Sequence, residues 1–461
     1  MKTNATIRIL TLTLSFLCLI SCSHNPEAYD KQAAANPELF HQSLKKLTDV
    51  IVHDIFSPPV ASRIYAYPNI AAYEVLIHEN PGYRSLSGQL HELSDIPKPK
   101  PGEVYCFPLA SIQAFLSVGK ALIFSEDKMD QFIEEVYQKY RDTGLSEKVF
   151  KRSVAYGDEV ADFILAWADN DRYKQTRTFP KFSINDDSSR WQPTPPAYMD
   201  AIEPHWNKIR TFVLDSSNQY IPEPPTPFSL NTGSQFYKEL MEVYETGKNL
   251  SEEQSAIAEF WDCNPYVSHQ QGHVMFATKK ITPGGHWIGI TSIATRLRNS
   301  NLMQTVEAYT LVSIALADAF ISCWDEKYRS ELIRPETVIN KYIDESWAPL
   351  LQTPPFPEYT SGHSVISASA ATTLTHLFGD NFHFVDSTEV EYGLAPRTFE
   401  SFYDASNEAA ISRLYGGIHY MPACEVGVDQ GKKVGQFIIN NLTTSTGDAE
   451  NAEKKMASPA S

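Results

Sequence analysis

Apolar residues recur every three to four positions along most of this chain, a spacing that predicts amphipathic helices. Alternation with a period of two, which would indicate strands, is scarce. We therefore predict an all-α protein, a helical bundle rather than an α/β fold. In the first half of the chain the predicted helices span residues 41–55, 60–77, 108–124, 126–141 and 146–169.

A long stretch between residues 170 and 232 interrupts the helical pattern. It is rich in Pro, Asp, Ser and aromatic residues, and its part at 221–227 should be extended. Because it is too long for an ordinary loop, it is either a mobile linker or a segment that wraps over the helices and shapes a pocket. Beyond it the predicted helices span residues 234–247, a segment opened by a capping box at 251–254, then 301–329, 364–378, 399–416 and 425–442.

The N-terminus has the pattern of an export signal. Lys2 and Arg8 precede an apolar run over residues 9–20, which is too short to remain as a membrane-spanning helix. The run ends in Leu-Ile-Ser-Cys, which looks like a bacterial lipobox and implies cleavage before Cys22 and lipidation of its thiol. A plain signal peptide with an incidental cysteine is the alternative. We expect an exported protein anchored by lipid to a membrane and facing the periplasm or the cell exterior.

Composition and the apolar pattern predict the boundaries of the segments along the chain. Residues 1–22 are the predicted signal peptide, and the polar residues 23–37 are predicted to tether the lipid to the fold. Residues 38–442 should form a single helical domain with its catalytic part at about 232–442. The small, polar residues 443–461 are predicted to be a disordered tail.

The net charge of −17 argues against a nucleic-acid partner, because no basic face offsets it. An anion-binding pocket in such a chain must therefore create its own positive field. His269 and His273 have the spacing of metal ligands on a helix face, but no carboxylate or cysteine completes that set convincingly. Four cysteines beyond Cys22 lack metal-type spacing and could form one or two disulfides in an exported protein: Cys106, Cys263, Cys323 and Cys424.

The tripeptide Ser361-Gly362-His363 stands where the predicted helix 364–378 begins. Exposed backbone N–H groups and the helix dipole favour an anion at such a position, and glycine lets the ligand approach the backbone. An ordinary N-cap followed by a loop histidine is the alternative explanation.

Two flanking stretches favour the anion site. Lys327 precedes Arg334-Pro335 upstream, and Ser412-Arg413 precedes His419 downstream. Three cations, a Ser-Gly turn and two histidines together indicate a site for a tetrahedral oxyanion with a nucleophile and an acid. Taken alone, Lys327 and Arg334 would be explained as solvated charges near a helix end.

The three motifs, in this order and spacing, resemble those of the type 2 phosphatidic acid phosphatase and vanadium-dependent haloperoxidase superfamily. The resemblance implies that the site holds phosphate or vanadate. His419 would then be the nucleophile of a phosphatase or the ligand of vanadium, and His363 the acid–base group. The groups implied to bind the oxyanion are Lys327, Arg334, Arg413, the Ser361 hydroxyl and the Gly362 N–H.

Within that superfamily, several features favour the bacterial haloperoxidase branch. Trp324 three residues before Lys327 and Phe356 five before Ser361 are possible pocket residues, and the chain is too long for a minimal acid phosphatase. Pro204-His205-Trp206 resembles a segment of the bacterial relatives, which favours the wrapping role for 170–232. The implied substrates are hydrogen peroxide and a halide, with vanadate as cofactor. Two alternatives stay open: a phosphomonoesterase that needs no cofactor, and a non-catalytic anion-binding lipoprotein.

The chain also departs from the family pattern. Asn264 stands where the family has an acid that pairs with an active-site arginine, and Asp262 is displaced by two residues. Ala423 replaces an aspartate that orients the axial histidine, so His419 must be oriented by Glu425, by a backbone carbonyl, or not at all. Thr360 replaces the usual proline. Asp318, the one charge in its part of the long helix, is expected on a solvated face.

Overall fold

The computed structural model describes residues 28–271 and 274–445, and most of these residues are helical. This confirms the predicted all-α class. The predicted helices are present, with ends displaced by at most four residues. They are α1 (Lys31–Ala34), α2 (Pro37–Asp54), α3 (Pro58–Leu76), α4 (Phe107–Ala121), α5 (Asp127–Arg141), α6 (Glu147–Asp169), α7 (Tyr173–Thr176), α8 (Gln235–Lys248), α9 (Glu252–Phe260), α10 (Pro283–Leu297), α11 (Leu302–Ser330), α12 (Pro335–Tyr342), α13 (Gly362–Phe378), α14 (Phe402–Tyr415) and α15 (Met421–Asn441).

Two short antiparallel hairpins complete the regular structure. Strand β1 (Val267–Gln271) pairs with β2 (Val274–Thr278), and β3 (Phe384–Asp386) pairs with β4 (Arg397–Phe399). His269 therefore lies on a strand, so the helical spacing considered for it was wrong, and His273 lies outside the described residues. The four cysteines of the described residues are free and buried, which corrects the expectation of disulfides.

Residues at both ends of the described chain, which were predicted to be a tether and a disordered tail, make contacts with the helical domain. Within the predicted tether, Asp30 caps the short helix α1, and Ala34 is fully buried. Within the predicted tail, the Thr444 carbonyl oxygen accepts a hydrogen bond from the Arg84 N–H at 2.8 Å. Cys22 and the rest of residues 1–27, like residues 446–461, lie outside the described part.

Helix α11 is the centre of the bundle and packs against α3, α10, α13 and α15. Nearly every side chain from Leu302 to Lys327 is buried. Among the described helices, α11 alone is long and apolar enough to cross a membrane, and its apolar stretch is buried inside the protein. Such burial on all faces is typical of a central core helix.

Three glycines of α15 allow it to lie directly on α13: Gly427, Gly431 and Gly435. A Cβ atom on Gly431 would stand 2.0 Å from the carbonyl oxygen of Val365. The close approach brings the start of α15 to the start of α13, where the Ser361 N–H donates to the Ala423 carbonyl oxygen at 3.0 Å.

Residues 170–232 wrap over the helices, as the preferred interpretation predicted. The Ile202 N–H donates to the Pro355 carbonyl oxygen at 3.0 Å. Asp318 of α11 is fully buried and accepts hydrogen bonds from the backbone N–H groups of residues 212, 213 and 214 at 2.7–3.0 Å. The expectation of a solvated Asp318 was wrong, because this carboxylate fastens the wrapping segment to the central helix.

Candidate active site

The residues singled out by the three motifs converge at the ends of four helices. Lys327 lies in the last turn of α11, and Arg334 is the N-cap residue of α12. Ser361 caps α13 and Arg413 lies in the last turn of α14, while His419 stands two residues before α15. All five are at most 2% exposed. Because burying unpaired charge is costly, three buried cations at one place indicate a functional site.

Lys327 is held by main-chain oxygens. Its Nζ donates to the carbonyl oxygens of Pro357 and Glu358 at 3.0 Å and of Thr360 at 2.6 Å. It also lies 5.0 Å from the ring centre of Phe356 and 5.8 Å from that of Trp324, the two predicted pocket residues. Burial lowers the pKa of Lys327 to about 8.

The two arginines are fixed by carbonyl groups rather than by acids. Arg334 Nη1 donates to the Ile418 carbonyl oxygen at 2.8 Å and to His419 Nε2 at 3.1 Å. Arg413 Nη2 donates to the Trp261 carbonyl oxygen at 2.6 Å. Asp262 instead pairs with Lys280 at 2.7 Å. The family's acid–arginine pair is thus replaced here by a main-chain acceptor.

His419 is oriented by a residue that sequence reasoning missed. Its Nδ1 donates to Glu358 Oε1 at 2.7 Å, and the same oxygen accepts the Tyr420 N–H at 3.0 Å. Glu425 is exposed on α15, so neither it nor a backbone carbonyl has this role. Glu358 lies five residues before His363 and sixty-one before His419, so no spacing rule connects it to the ring; the one available signal was a lone acid within Pro357–Ser361.

The electrostatics of the His419–Glu358 pair leave a lone pair on His419 Nε2. That lone pair accepts from Arg334, and it can act as a ligand or nucleophile once this hydrogen bond is exchanged. Burial and the charges of Arg334 and Lys327 hold the pKa of His419 well below its usual range, so the ring is neutral. Burial raises the pKa of Glu358 to about 7. With Nδ1 carrying the proton, the lone pair of Nε2 points toward Arg334.

The Ser361-Gly362-His363 turn completes the site. The Ser361 Oγ accepts the Ser364 N–H at 3.3 Å, so Ser361 is an N-cap, as the alternative explanation had it, but His363 lies within α13 and not in a loop. A Cβ on Gly362 would stand 3.7 Å from Trp324 and 3.9 Å from Lys327, so the turn borders these side chains. Burial and the charge of Arg413 hold the pKa of His363 well below its usual range, so its imidazole is uncharged. A bound anion would offset the charge of Arg413 and raise that pKa, which a proton acceptor requires.

A cavity of about 170 Å³ opens onto this site. Gly362, His363, Arg413 and His419 form part of its wall, whereas Lys327, Arg334 and Ser361 do not line it. The predicted pocket residues Trp324 and Phe356 both line it. Its remaining wall is largely apolar and includes residues that the sequence did not single out because they lie at helix ends or on irregular segments: Ile55, Pro58, Met199, Ile202, Tyr266 and Gln352.

The donors present fit a tetrahedral oxyanion. Lys327, Arg334, Ser361, Gly362 and Arg413 are here called the oxyanion cradle. The arginines, the Ser361 hydroxyl and the Gly362 N–H would be its donors, whereas Lys327, whose three Nζ hydrogens already go to carbonyl oxygens, would contribute its charge. Within this site, Arg334 Nη2 and His363 Nε2 are buried nitrogens that have no hydrogen-bond partner among the described residues. Buried polar groups are rarely left unpaired, and a bound oxyanion that carries a proton would satisfy both, accepting from Arg334 and donating to His363. The fold and the site together define a class of α-helical proteins with a buried histidine among three buried cations at helix ends.

Comparisons with known proteins agree with this class. The family model described as "VCPO second helical-bundle domain" matches residues 307–447. The structure titled "Crystal structure of the first bacterial vanadium dependant iodoperoxidase" is 55% identical with a TM-score of 0.85, covering 89% of this chain and 98% of that one. No curated protein sequence matches the chain.

Two bacterial vanadium-dependent chloroperoxidase structures share the fold at low identity. The holo-type is 17% identical with a TM-score of 0.63, covering 90% of this chain and 96% of that one. The apo-type is 18% identical with a TM-score of 0.65, covering 84% and 95%. On the strength of the 55% identity, the chain belongs to the family of bacterial vanadium-dependent haloperoxidases, and it is a haloperoxidase-like enzyme.

Proposed function

We propose that this protein oxidises iodide with hydrogen peroxide, using vanadate held in the oxyanion cradle. The observation that carries the proposal is the neutral His419, with Nδ1 fixed by Glu358 and Nε2 turned into a buried group of cations. The choice of iodide is supported by the 55% identity with a bacterial iodoperoxidase. In the overall reaction iodide gives two electrons to peroxide and, with one proton, yields hypoiodous acid and water.

Each site residue has a distinct part in the proposal. Vanadate supplies a Lewis-acidic centre that activates peroxide. His419 Nε2 would hold the vanadium in place of its hydrogen bond from Arg334, and the cradle would neutralise the charge of the oxyanion oxygens. His363 Nε2, buried and unpartnered among the described residues, takes and returns a proton of peroxide. The apolar wall around Trp324 and Phe356 keeps bulk water from the site.

Steady-state halogenation assays test the proposal. Purified protein reconstituted with vanadate should form triiodide from iodide and peroxide, and bromination of monochlorodimedone should be slower. Lys327→Ala should lose activity and vanadate affinity, whereas Lys341→Ala, an exposed lysine on α12, should retain both. Undiminished vanadate binding by Lys327→Ala would refute the site. Bromination as fast as iodination would refute the halide assignment.

Phosphate chemistry is the second candidate, because the same cradle fits phosphate. p-Nitrophenyl phosphate hydrolysis, measured without vanadate, separates the two. We expect phosphate to compete with vanadate for the site and the phosphomonoester to be turned over slowly or not at all. Rapid hydrolysis together with absent halogenation would make the protein a phosphatase of this fold. Binding of both anions with neither reaction would make it the non-catalytic anion-binding lipoprotein.

We further propose that the protein is exported and held at a membrane by lipid on Cys22. The support is the short apolar run 9–20 followed by Leu-Ile-Ser-Cys, both outside the described residues. Membrane fractionation tests this: Cys22→Ala should move the protein to the soluble fraction. A variant that stays with the membrane would refute the lipid anchor.

A further inference from the structure

A second group of potential ligands lies beside the oxyanion site and takes no part in the proposed reaction. Cys263 follows α9, His286 lies in the first turn of α10, and Glu389 precedes a short turn after β3. All three are at most 1% exposed. They are far apart in sequence, without a recognisable metal-binding spacing, which is why sequence analysis did not find them.

The three ligand atoms surround one point. Cys263 Sγ is 3.4 Å from His286 Nδ1, His286 Nδ1 is 3.0 Å from Glu389 Oε1, and Cys263 Sγ is 3.9 Å from Glu389 Oε1. Ligands about 2.0–2.3 Å from a tetrahedral zinc ion stand about 3.3–3.6 Å from one another. The observed separations bracket this range, so a small cation fits between them with shifts of a few tenths of an ångström.

The surroundings of His286 are those of a metal ligand. Its other ring nitrogen, Nε2, is 2.7 Å from Asp386 Oδ2, and Asp386 in turn accepts a hydrogen bond from Thr388 at 2.7 Å. A carboxylate on the second nitrogen of a ligating histidine fixes the ring and raises its basicity. Trp261 stacks on the ring at 4.5 Å and limits its rotation.

We propose that Cys263, His286 and Glu389 bind a divalent cation of the zinc type, with Asp386 as the positioning carboxylate. A thiolate, an imidazole and a carboxylate are ligands that tetrahedral zinc accepts. The two carboxylates and the thiolate would offset the charge of the ion. Cys263 also lines the cavity of the oxyanion site, which gives an ion a route of entry.

Cobalt substitution tests the site without recourse to activity. Tag-free protein, stripped with a chelator and titrated with Co²⁺, should bind one equivalent and show thiolate-to-cobalt charge-transfer absorption with the visible bands of tetrahedral cobalt. Zn²⁺ should displace the signal. Far-UV circular dichroism measured in parallel shows whether the stripped protein is still helical and therefore folded.

Variants locate the ligands. Cys263→Ala should abolish the charge-transfer band, whereas Cys106→Ala, which removes a buried free cysteine in α4's N-cap position, should leave it unchanged. Glu389→Gln should weaken binding at least tenfold with the band retained, which guards against misfolding of the cysteine variant. Folded wild-type protein that binds no Co²⁺ or Zn²⁺, or a band that survives Cys263→Ala, would overturn the proposal. His286 would then serve only as an ion-pair partner of Asp386 and Glu389.

Discussion

At the scale of single residues, Glu358 changes the interpretation of the site most. The sequence shows an alanine at 423 where the family has an orienting aspartate, which suggested that His419 had lost its partner. The structure supplies that partner from the segment between α12 and α13 instead. The same chemical role is filled from another place in the chain, so Ala423 is not a sign of impaired function.

Replacing Glu358 should therefore lower the affinity for vanadate, although in the proposal this residue touches neither peroxide nor halide. Loss of a group that orients a metal ligand commonly costs about 10–100-fold in metal affinity or activity. We expect that loss for Glu358→Ala in vanadate affinity measured by calorimetry, with partial recovery in Glu358→Gln, whose amide oxygen can still accept from Nδ1. Glu425→Gln is the matched control and should behave as wild type. Equal affinity in Glu358→Ala would show that packing alone orients His419.

The low pKa of Lys327, about 8, predicts a pH dependence of vanadate binding. Below that pH the ammonium is charged and attracts the anion; above it the proton is lost, so affinity falls by up to about tenfold per pH unit. Protonation of vanadate itself affects all variants equally, so wild type should be compared with Lys327→Met. The affinity advantage of wild type should shrink as the pH rises above 8. A constant advantage up to pH 10 would contradict the assignment.

At the scale of elements, the contact between α13 and α15 positions the Ser361-Gly362-His363 turn. Helix prediction succeeded because the 3.6-residue apolar pattern and caps such as the Ser251–Gln254 box are local signals. It failed where local signals were weak. Helix α15 begins at Met421 rather than at 425, and its N-cap residue Tyr420 makes no side-chain cap that would mark this start. The helical spacing considered for His269 was wrong because that residue pairs in the β1–β2 hairpin.

Gly431→Ala should separate these two helices. The added methyl group would meet the Val365 carbonyl oxygen, and backbone cannot move aside as a flexible side chain can. We expect a loss of about 1–3 kcal/mol in the free energy of unfolding, measured by urea denaturation, together with weaker vanadate binding. In Gly233→Ala the methyl group enters open space, so that variant should keep wild-type stability. A stable Gly431→Ala with unchanged binding would refute the role of this contact.

At the scale of the whole molecule, the sequence established the class and the cluster of cradle residues but not what holds the 170–232 segment. Short-range patterns predict the helices, and the order of the three motifs predicts that their residues lie at one place. The pairing of Asp318 with amides about a hundred residues earlier is set only by tertiary packing. For the same reason the cavity wall from Met199 and Ile202 could not be predicted.

Asp318→Ala should loosen that segment from the bundle. It leaves three backbone N–H groups buried without their acceptor, at a cost of about 3 kcal/mol or more in the free energy of unfolding. Limited proteolysis should then cut within residues 170–232 sooner than in wild type. Asp162→Ala, an exposed carboxylate on α6, should change stability by no more than about 0.5 kcal/mol. Proteolysis unchanged in Asp318→Ala would mean that other contacts suffice.

The cavity is thus built by two kinds of structure with different tolerance of change. Helix ends that rest on one another hold the cradle, so a substitution there disturbs several residues at once. Met199 and Ile202, by contrast, belong to an irregular segment that is attached to α11 through its main-chain N–H groups. Substituting a side chain of this segment therefore leaves the attachment intact. As the sequence diverges in evolution, substitutions in this segment should change which molecules enter the cavity. Substitutions that change the chemistry at the helix ends should come much later.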